Sequence, residues 1–169
     1  QSSGRSVKKA FIDLSYLIHW NIAMLMNMAD ERNIVIERRL NKSLPYFLCD
    51  GIMFGQMLQN LLSNSIKYNN ENGKIMIIAE VVEKGKDSCP HLRITIEDDG
   101  IGISPKDQRK IFSKFKRIDE HSDNSNRKVI GHGIGLAYVK KCVLEHEGTI
   151  TIQSALGKGA KFILEFPFC

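Results

Sequence analysis

Residues Glu97-Asp98-Asp99-Gly100-Ile101-Gly102-Ile103 give the first indication of the architecture, because a β-branched run ends there on carboxylates and continues into glycine. A side chain at such a strand end lies next to backbone that has no Cβ atom to obstruct a ligand. The Asp98 carboxylate can therefore accept a hydrogen bond from the exocyclic amine of adenine. Taken alone, the same residues are equally consistent with an ordinary Asp-Gly turn.

A second glycine-bearing segment, Gly131-His132-Gly133-Ile134-Gly135-Leu136, favours the ligand interpretation. Its three glycines alternate and run into a predicted helix, so backbone amides and the helix N-terminus can face polyphosphate oxygens. The dinucleotide-binding fingerprint has a different glycine spacing and follows a strand, whereas a polar loop precedes this segment. The two segments together predict a nucleotide site outside a Rossmann fold.

The segment Asn60-Leu61-Leu62-Ser63-Asn64-Ser65-Ile66-Lys67-Tyr68 belongs to a helix predicted over residues 52–68. Its apolar stripe, which includes Ser65, faces the core, and Asn60, Asn64 and Lys67 lie on the other side. Amide oxygens are suitable ligands for Mg²⁺, which also takes substrate phosphates, and a lysine can meet a phosphate. Isolated surface asparagines are usually only solvated, so this interpretation depends on the glycine segments.

Periodicity and turn residues place the remaining elements. Asp13 and Asp50 are expected to cap helices, and the phenylalanines at 112 and 115 include at least one core residue. Lys116 and Arg117 are placed to face phosphate, and the polar stretch around 119–128 indicates a mobile lid, assigned to residues 113–132. We predict strands at 34–40, 46–49, 75–82, 92–98, 149–154 and 161–166, and helices at 14–33, 105–112 and 135–146.

Composition limits the classes of function. The 169 residues, 43% of them hydrophobic, suit one domain over 1–169, and no apolar run approaches the roughly 20 residues that cross a bilayer. The net charge is +5, and between residues 104 and 130 eight Lys or Arg oppose four Asp or Glu. No aromatic-and-basic stacking motif accompanies this excess, so no nucleic-acid partner is expected. The four cysteines lack zinc-site spacing and indicate reduced thiols in the cytoplasm.

At this point the chain resembles the catalytic, ATP-binding domain of two-component sensor histidine kinases, within the group shared with DNA gyrase, the mismatch-repair MutL proteins and a heat-shock chaperone. Residues 60–68 resemble the asparagine box of that family, 98–102 the first glycine box, 111–117 the phenylalanine box and 131–136 the second glycine box. The turn Gly157-Lys158-Gly159 resembles a further family element. Ala160 stands where the family often has Ser or Thr, and Glu147 where Gly is more usual.

The resemblance implies an α+β two-layer sandwich, the Bergerat fold, in which three α-helices cover one face of a mixed sheet and a mobile ATP lid closes the site. It implies that Asp98 binds adenine, Tyr68 borders the base and Asn64 holds Mg²⁺. Asn60, Lys67 and Arg117 become the catalytic residues, with Lys67 and Arg117 near phosphates. The other nucleotide contacts would be Gly100, Gly102, Ile103, Phe112, Lys116, Gly131, Gly133, Gly135 and Leu136.

Asn60 distinguishes among members of the group. The related ATPases carry Glu at this position, because a carboxylate can deprotonate the attacking water and an amide cannot. A histidine acceptor is largely a neutral nucleophile at pH 7, so Asn60 favours transfer of the γ-phosphoryl group of Mg-ATP to histidine. None of the five histidines begins the acceptor helix of the family, so the acceptor is expected on a separate helical domain.

The implied partners are that helical dimerisation and phosphoacceptor domain of the same parent protein and the receiver domain of a response regulator. The chain itself is expected to be a monomeric, cytoplasmic fragment of a homodimeric parent, whose membrane anchoring stays open. Two alternatives remain at this point: a non-catalytic nucleotide-sensing or interaction module, and an ATPase of the same group.

Overall fold

The computed structural model describes residues 6–83, 89–112 and 135–168. Within these residues the structure has seven strands and four helices. The strands are β1 (Ala10–Ile12), β2 (Val35–Leu40), β3 (Phe47–Cys49), β4 (Lys74–Val82), β5 (His91–Asp98), β6 (Thr149–Ser154) and β7 (Ala160–Pro167). The helices are α1 (Leu14–Asp30), α2 (Gly51–Lys67), α3 (Pro105–Gln108) and α4 (Gly135–Glu145).

The main sheet has five strands in the order β2-β4-β5-β7-β6. Strand β2 runs parallel to β4, and the other pairs are antiparallel, so the sheet is mixed as predicted. Alternate residues such as Ile77, Ile94 and Leu164 are fully buried beneath helices α1, α2 and α4. The predicted two-layer α+β sandwich is confirmed.

The opposite face of the sheet carries paired charges. Arg93 on β5 contacts Glu165 on β7 at 2.7 Å, and Lys161 contacts Glu97 at 3.1 Å. These residues alternate along their strands with the buried apolar ones, as the period of two in a strand requires. This alternation leaves the charged face of the sheet half-exposed and confines the core to the helical side.

Both predicted helix caps are confirmed. Asp13 Oδ1 accepts a hydrogen bond from Tyr16 N at 3.0 Å, and Asp50 Oδ1 accepts from Ile52 N and Met53 N, each at 3.1 Å. These carboxylates satisfy amides that a helix start leaves without partners. Strand β1 was not predicted, because three residues are too few for a periodic signal; it pairs with β3.

His146 joins α4 to the start of α2. Its Nε2 accepts a hydrogen bond from Asp50 N at 2.9 Å, and its Nδ1 lies 2.8 Å from the carbonyl oxygen of Cys142. The ring is 4% exposed and packs edge-on against Phe54. Because one ring nitrogen accepts and the other faces a carbonyl, the neutral Nδ1-protonated tautomer fits this site.

The cysteines divide into two kinds. Cys49 and Cys142 are free and buried, and burial raises the pKa of each thiol to about 12. Both therefore behave as apolar core residues. Cys89 is disulfide-bonded, so the expectation of reduced thiols is wrong for that residue. Among the described helices, none is long and apolar enough to cross a bilayer.

Replacing Glu147 by glycine is expected to stabilise the protein by about 0.5–1 kcal/mol. Glu147 follows α4 with φ of +56°, a left-handed conformation that glycine adopts without the steric cost of a Cβ atom. Denaturant unfolding measures the change. Glu145→Gly is the control, since the same substitution within α4 should destabilise; equal effects at both positions would contradict this account.

Candidate functional site

Asp98 is the last residue of β5 and lies in the middle of the sheet edge, paired with Ile75 on β4 and Ala160 on β7. It is only 8% exposed. Its Oδ1 accepts hydrogen bonds from Gly100 N at 3.0 Å and Ala160 N at 3.2 Å. Both backbone bonds use the same oxygen, so they orient the carboxyl while Oδ2 remains available for the donor of a ligand.

The environment of Asp98 disfavours its charge. Burial raises the pKa of this carboxyl, and the Asp99 carboxylate raises it further, while the bonds from Gly100 and Ala160 and the nearby Ser65 lower it. A raised pKa means that the folded protein binds the proton more tightly than the unfolded chain, so the charge reduces stability at neutral pH. Buried carboxyl groups with a raised pKa are concentrated at functional sites.

Ser65 adds a second buried polar group beside this carboxyl. Its side chain is in the apolar stripe of α2, and the residue is 2% exposed. The hydroxyl lies close enough to the Asp98 carboxyl to lower its pKa through a side-chain hydrogen bond. A carboxyl and a hydroxyl buried side by side suit a polar ligand or a water that bridges to one.

The glycines after Asp98 are required by contacts within the protein. A Cβ atom on Gly100 would lie 2.3 Å from the carbonyl oxygen of Tyr68, and one on Gly102 would lie 1.9 Å from that of Ala155. Gly102 also has φ of +71°. The sequence interpretation assigned these glycines to ligand approach; the structure adds that they let the segment pack tightly between α2 and the β6–β7 turn.

Hydrogen bonds hold this glycine segment to the β6–β7 turn. Gly159 N donates to Gly100 O at 3.0 Å, and Gly157 N donates to Ile101 O at 2.8 Å. Ile103 N donates to the hydroxyl of Ser154 at 2.8 Å. The wall of the candidate site is therefore built from two distant parts of the chain. In this structure, residues 157–159 support the glycine segment that follows Asp98.

The polar face of α2 borders the same region. Asn60, Asn64, Lys67 and Tyr68 are all partly exposed, whereas the opposite stripe is buried. Asn60 Nδ2 donates to Gly135 O at 3.2 Å, which joins the asparagine-rich helix to the start of α4. Gly135 packs against Asn60, since a Cβ atom there would lie 3.4 Å from the Asn60 side chain. The asparagine segment and the end of the second glycine segment are thus brought together.

Three of the predicted contact residues lie at the periphery of the hydrophobic core. Ile103, Phe112 and Leu136 are partly buried and pack against the main core. The Nζ atom of Lys140 lies 6.0 Å from the centre of the Phe112 ring. The core interpretation therefore holds for Phe112. The other predicted positions, Lys116, Arg117, Gly131, Gly133 and the lid at 113–132, lie outside the described residues, as does the second phenylalanine at 115.

Sequence reasoning missed several residues that shape the site. Ser65 was taken only as part of the buried stripe, although a serine in an apolar stripe is itself a signal of a buried polar contact. Gln108 Nε2 donates to the carbonyl oxygens of Ile103 and Ser154, at 2.8 and 2.9 Å. The amide of Ala160 orients Asp98. Contacts made by backbone groups or by a single glutamine leave no motif in the sequence from which they could be predicted.

Comparisons with known proteins agree with the fold described above. Residues 49–169 match the family described as histidine kinase-, DNA gyrase B-, and HSP90-like ATPase. The chain is 34% identical over 163 residues to the sensor protein RprX of Bacteroides fragilis, covering 96% of this chain and 30% of that protein. It is 34% identical over 141 residues to the sensor histidine kinase WalK of Bacillus subtilis, covering 83% of this chain and 22% of WalK.

A solved structure has the same architecture. Full-length ShkA, crystallised in complex with AMPPNP, superposes with a TM-score of 0.82 at 26% identity. The match covers 99% of this chain and 32% of ShkA. The chain therefore spans about a third or less of the length of these relatives.

Proposed function

We propose that this chain, which belongs to the histidine kinase-, DNA gyrase B-, and HSP90-like ATPase family, is the ATP-binding catalytic domain of a sensor histidine kinase. The observation that carries the proposal is the buried Asp98 carboxyl, oriented through Oδ1 by two backbone amides and adjacent to the buried Ser65 hydroxyl. A carboxylate at the end of a strand can accept a hydrogen bond from the exocyclic amine of adenine, and a hydroxyl on the adjacent helix can donate to a ring nitrogen.

The phosphates would extend from this base toward the polar face of α2. Lys67 would approach them, together with Lys116 and Arg117 and the backbone of Gly131 and Gly133. The half-buried Asn64 amide would hold Mg²⁺, and the residues present fit that ion because Mg²⁺ prefers oxygen ligands and shares them with phosphates and water. When bound, Mg²⁺ would neutralise charge that develops on the phosphoryl group during transfer.

Asn60 supports phosphoryl transfer to histidine over hydrolysis of ATP. Its amide nitrogen is engaged with Gly135 O, and an amide oxygen has no basicity with which to deprotonate water. A neutral imidazole requires no such base. Catalysis would then rest on positioning and on the cationic side chains of Lys67 and Arg117, as is general for phosphoryl transfer.

The acceptor would be a histidine on the helical dimerisation domain of the parent protein, and the phosphoryl group would pass onward to the receiver domain of a response regulator. His146, the buried described histidine, is committed to structural hydrogen bonds and does not fit the acceptor role. The parent would be a homodimer and this domain cytoplasmic. The proposal places no nucleic acid among the partners.

The decisive experiment mixes this chain with the helical domain of its parent, Mg²⁺ and γ-labelled ATP. Acid-labile phosphohistidine on the helical domain is the expected product. In a separate calorimetric titration, Asn64→Ala should remove the Mg²⁺ dependence of ATP-analogue binding. ATP binding without any transfer would favour the nucleotide-sensing alternative. Steady phosphate release by the chain alone would favour an ATPase.

A further inference from the structure

Arg32 lies in the turn between α1 and β2, outside every motif described above. Its guanidinium donates hydrogen bonds to three backbone carbonyls: Nη1 to those of Ile66 and Lys67, the latter at 2.9 Å, and Nη2 to that of Asn69 at 2.6 Å. Its Nε contacts Glu71 Oε1 at 3.1 Å. Its side chain is 20% exposed, so these bonds are largely shielded from water.

These carbonyls belong to the C-terminal end of α2 and to the residues just after it. The last carbonyls of a helix have no intrahelical partner, and together they carry partial negative charge. A planar guanidinium with five donors can serve several of them at once and opposes that charge. Arg32 is therefore a cap that the chain supplies to α2 from a different element.

The end of α2 that Arg32 holds is also a wall of the candidate nucleotide site. Tyr68 O accepts a hydrogen bond from Ile101 N at 3.0 Å, and the absent Cβ of Gly100 would lie 2.3 Å from that oxygen. A shift of the helix end by a fraction of an ångström would thus be felt by the segment that follows Asp98. Lys67 is bonded to Arg32 through its own carbonyl.

The backbone of Arg32 is fixed as well, because its carbonyl oxygen accepts a hydrogen bond from Asn72 N at 3.1 Å. In the turn that follows α2, Asn70 Nδ2 donates a hydrogen bond to Asp99 O at 2.9 Å. Hydrogen bonds therefore connect the α1–β2 turn, the end of α2 and the glycine segment without a break.

We propose that Arg32 is a positioning residue for the nucleotide pocket. It holds the end of α2 where Lys67, Tyr68 and the segment at Gly100 and Ile101 together form one wall. The inference rests on the proposed ATP-binding function, and it adds a residue that touches no ligand.

Arg32→Ala is compared with Arg32→Lys and with Arg93→Ala. The control removes another partly exposed arginine, which pairs with Glu165 and Glu80 on the charged face of the sheet, away from the site. Affinity is measured by titration with a fluorescent ATP analogue and Mg²⁺, well below the unfolding temperature of each variant. Exchange of the Ile101 amide proton is followed by NMR without nucleotide.

Arg32→Ala is expected to bind the analogue about tenfold more weakly, because a small displacement of positioning groups is costly. Arg32→Lys should be intermediate, since one ammonium cannot serve three carbonyls in a plane. Arg93→Ala should bind within about twofold of the parent sequence. The Ile101 amide should exchange faster in Arg32→Ala and at an unchanged rate in Arg93→Ala.

The inference is overturned if folded Arg32→Ala binds as tightly as the parent sequence, or if Arg93→Ala loses the same affinity. If Arg32→Ala does not fold, the same criteria apply to Arg32→Lys, which retains the charge. Absence of analogue binding by the parent sequence would instead refute the proposed function. In that case the exchange rate of the Ile101 amide proton still tests the positioning role. An unchanged rate in the Arg32 variants would refute that role, and a faster rate would support it.

Discussion

Asp98→Asn is expected to weaken binding of an ATP analogue by about 1–3 kcal/mol, roughly 5- to 150-fold, while the free energy of unfolding at pH 7 rises. The amide oxygen of asparagine can still accept the bonds from Gly100 N and Ala160 N, so the local backbone is retained. The amide nitrogen of asparagine would face the exocyclic amine of adenine, and two hydrogen-bond donors cannot pair with each other. The buried charge that reduces stability would be removed.

The pH dependence of stability provides a second measurement. Because burial raises the pKa of Asp98 above 3.8, the folded wild-type protein takes up this proton before the unfolded chain does. The Asp98 contribution to stability therefore increases as the pH falls through the raised pKa toward 3.8. The advantage of Asp98→Asn over the wild type should shrink over that range, as denaturant unfolding at several pH values will measure.

Asp99→Asn is the control for this prediction, since it makes the same chemical change at an exposed neighbour. Asp99 Oδ1 accepts from Lys74 N at 2.7 Å, a bond that asparagine can keep. Affinity should stay within about twofold. Equal loss of affinity in both variants, or unchanged affinity in Asp98→Asn, would remove Asp98 from the role of adenine acceptor.

Gly159→Ala is expected to destabilise the protein by about 2–5 kcal/mol, from left-handed strain together with a steric clash. Gly159 has φ of +72°, and a Cβ atom there would lie 1.9 Å from the carbonyl oxygen of Asp98. The Gly159 carbonyl also accepts a bond from the Ser154 hydroxyl at 2.6 Å. The strand ends that orient Asp98 would have to separate, so binding of the ATP analogue should weaken as well.

Gly157 allows the two causes to be separated. It has the same φ of +72°, but a Cβ atom there would have no neighbour within 4 Å. Gly157→Ala should therefore show the conformational strain alone, about 1–2 kcal/mol, and should leave affinity unchanged. Denaturant unfolding of both variants measures the difference. Similar losses of unfolding free energy in the two variants would show that the clash at Gly159 relaxes and that its close contact with the Asp98 carbonyl is not required.

The sequence alone was sufficient to predict the described helices and strands other than β1, and it supplied the hypothesis about the chemistry of the site. Helix caps at Asp13 and Asp50 and the alternation along β4, β5 and β7 are local properties, so they can be read from neighbouring residues. The order of the four motifs identified the family, which the match over residues 49–169 confirms. The individual ligand contacts stay predictions, including those at residues 116, 117, 131 and 133, which lie outside the described part of the chain.

Only the tertiary structure decided which groups meet. The amide that orients Asp98 comes from Ala160, 62 positions away, and Asn60 meets Gly135 across 75 positions. Arg32 reaches the carbonyls at the end of α2 with no motif to announce it. Periodicity reports how a residue lies relative to its own helix or strand, whereas contacts between distant backbone groups depend on how whole elements pack, which no local pattern of side chains encodes.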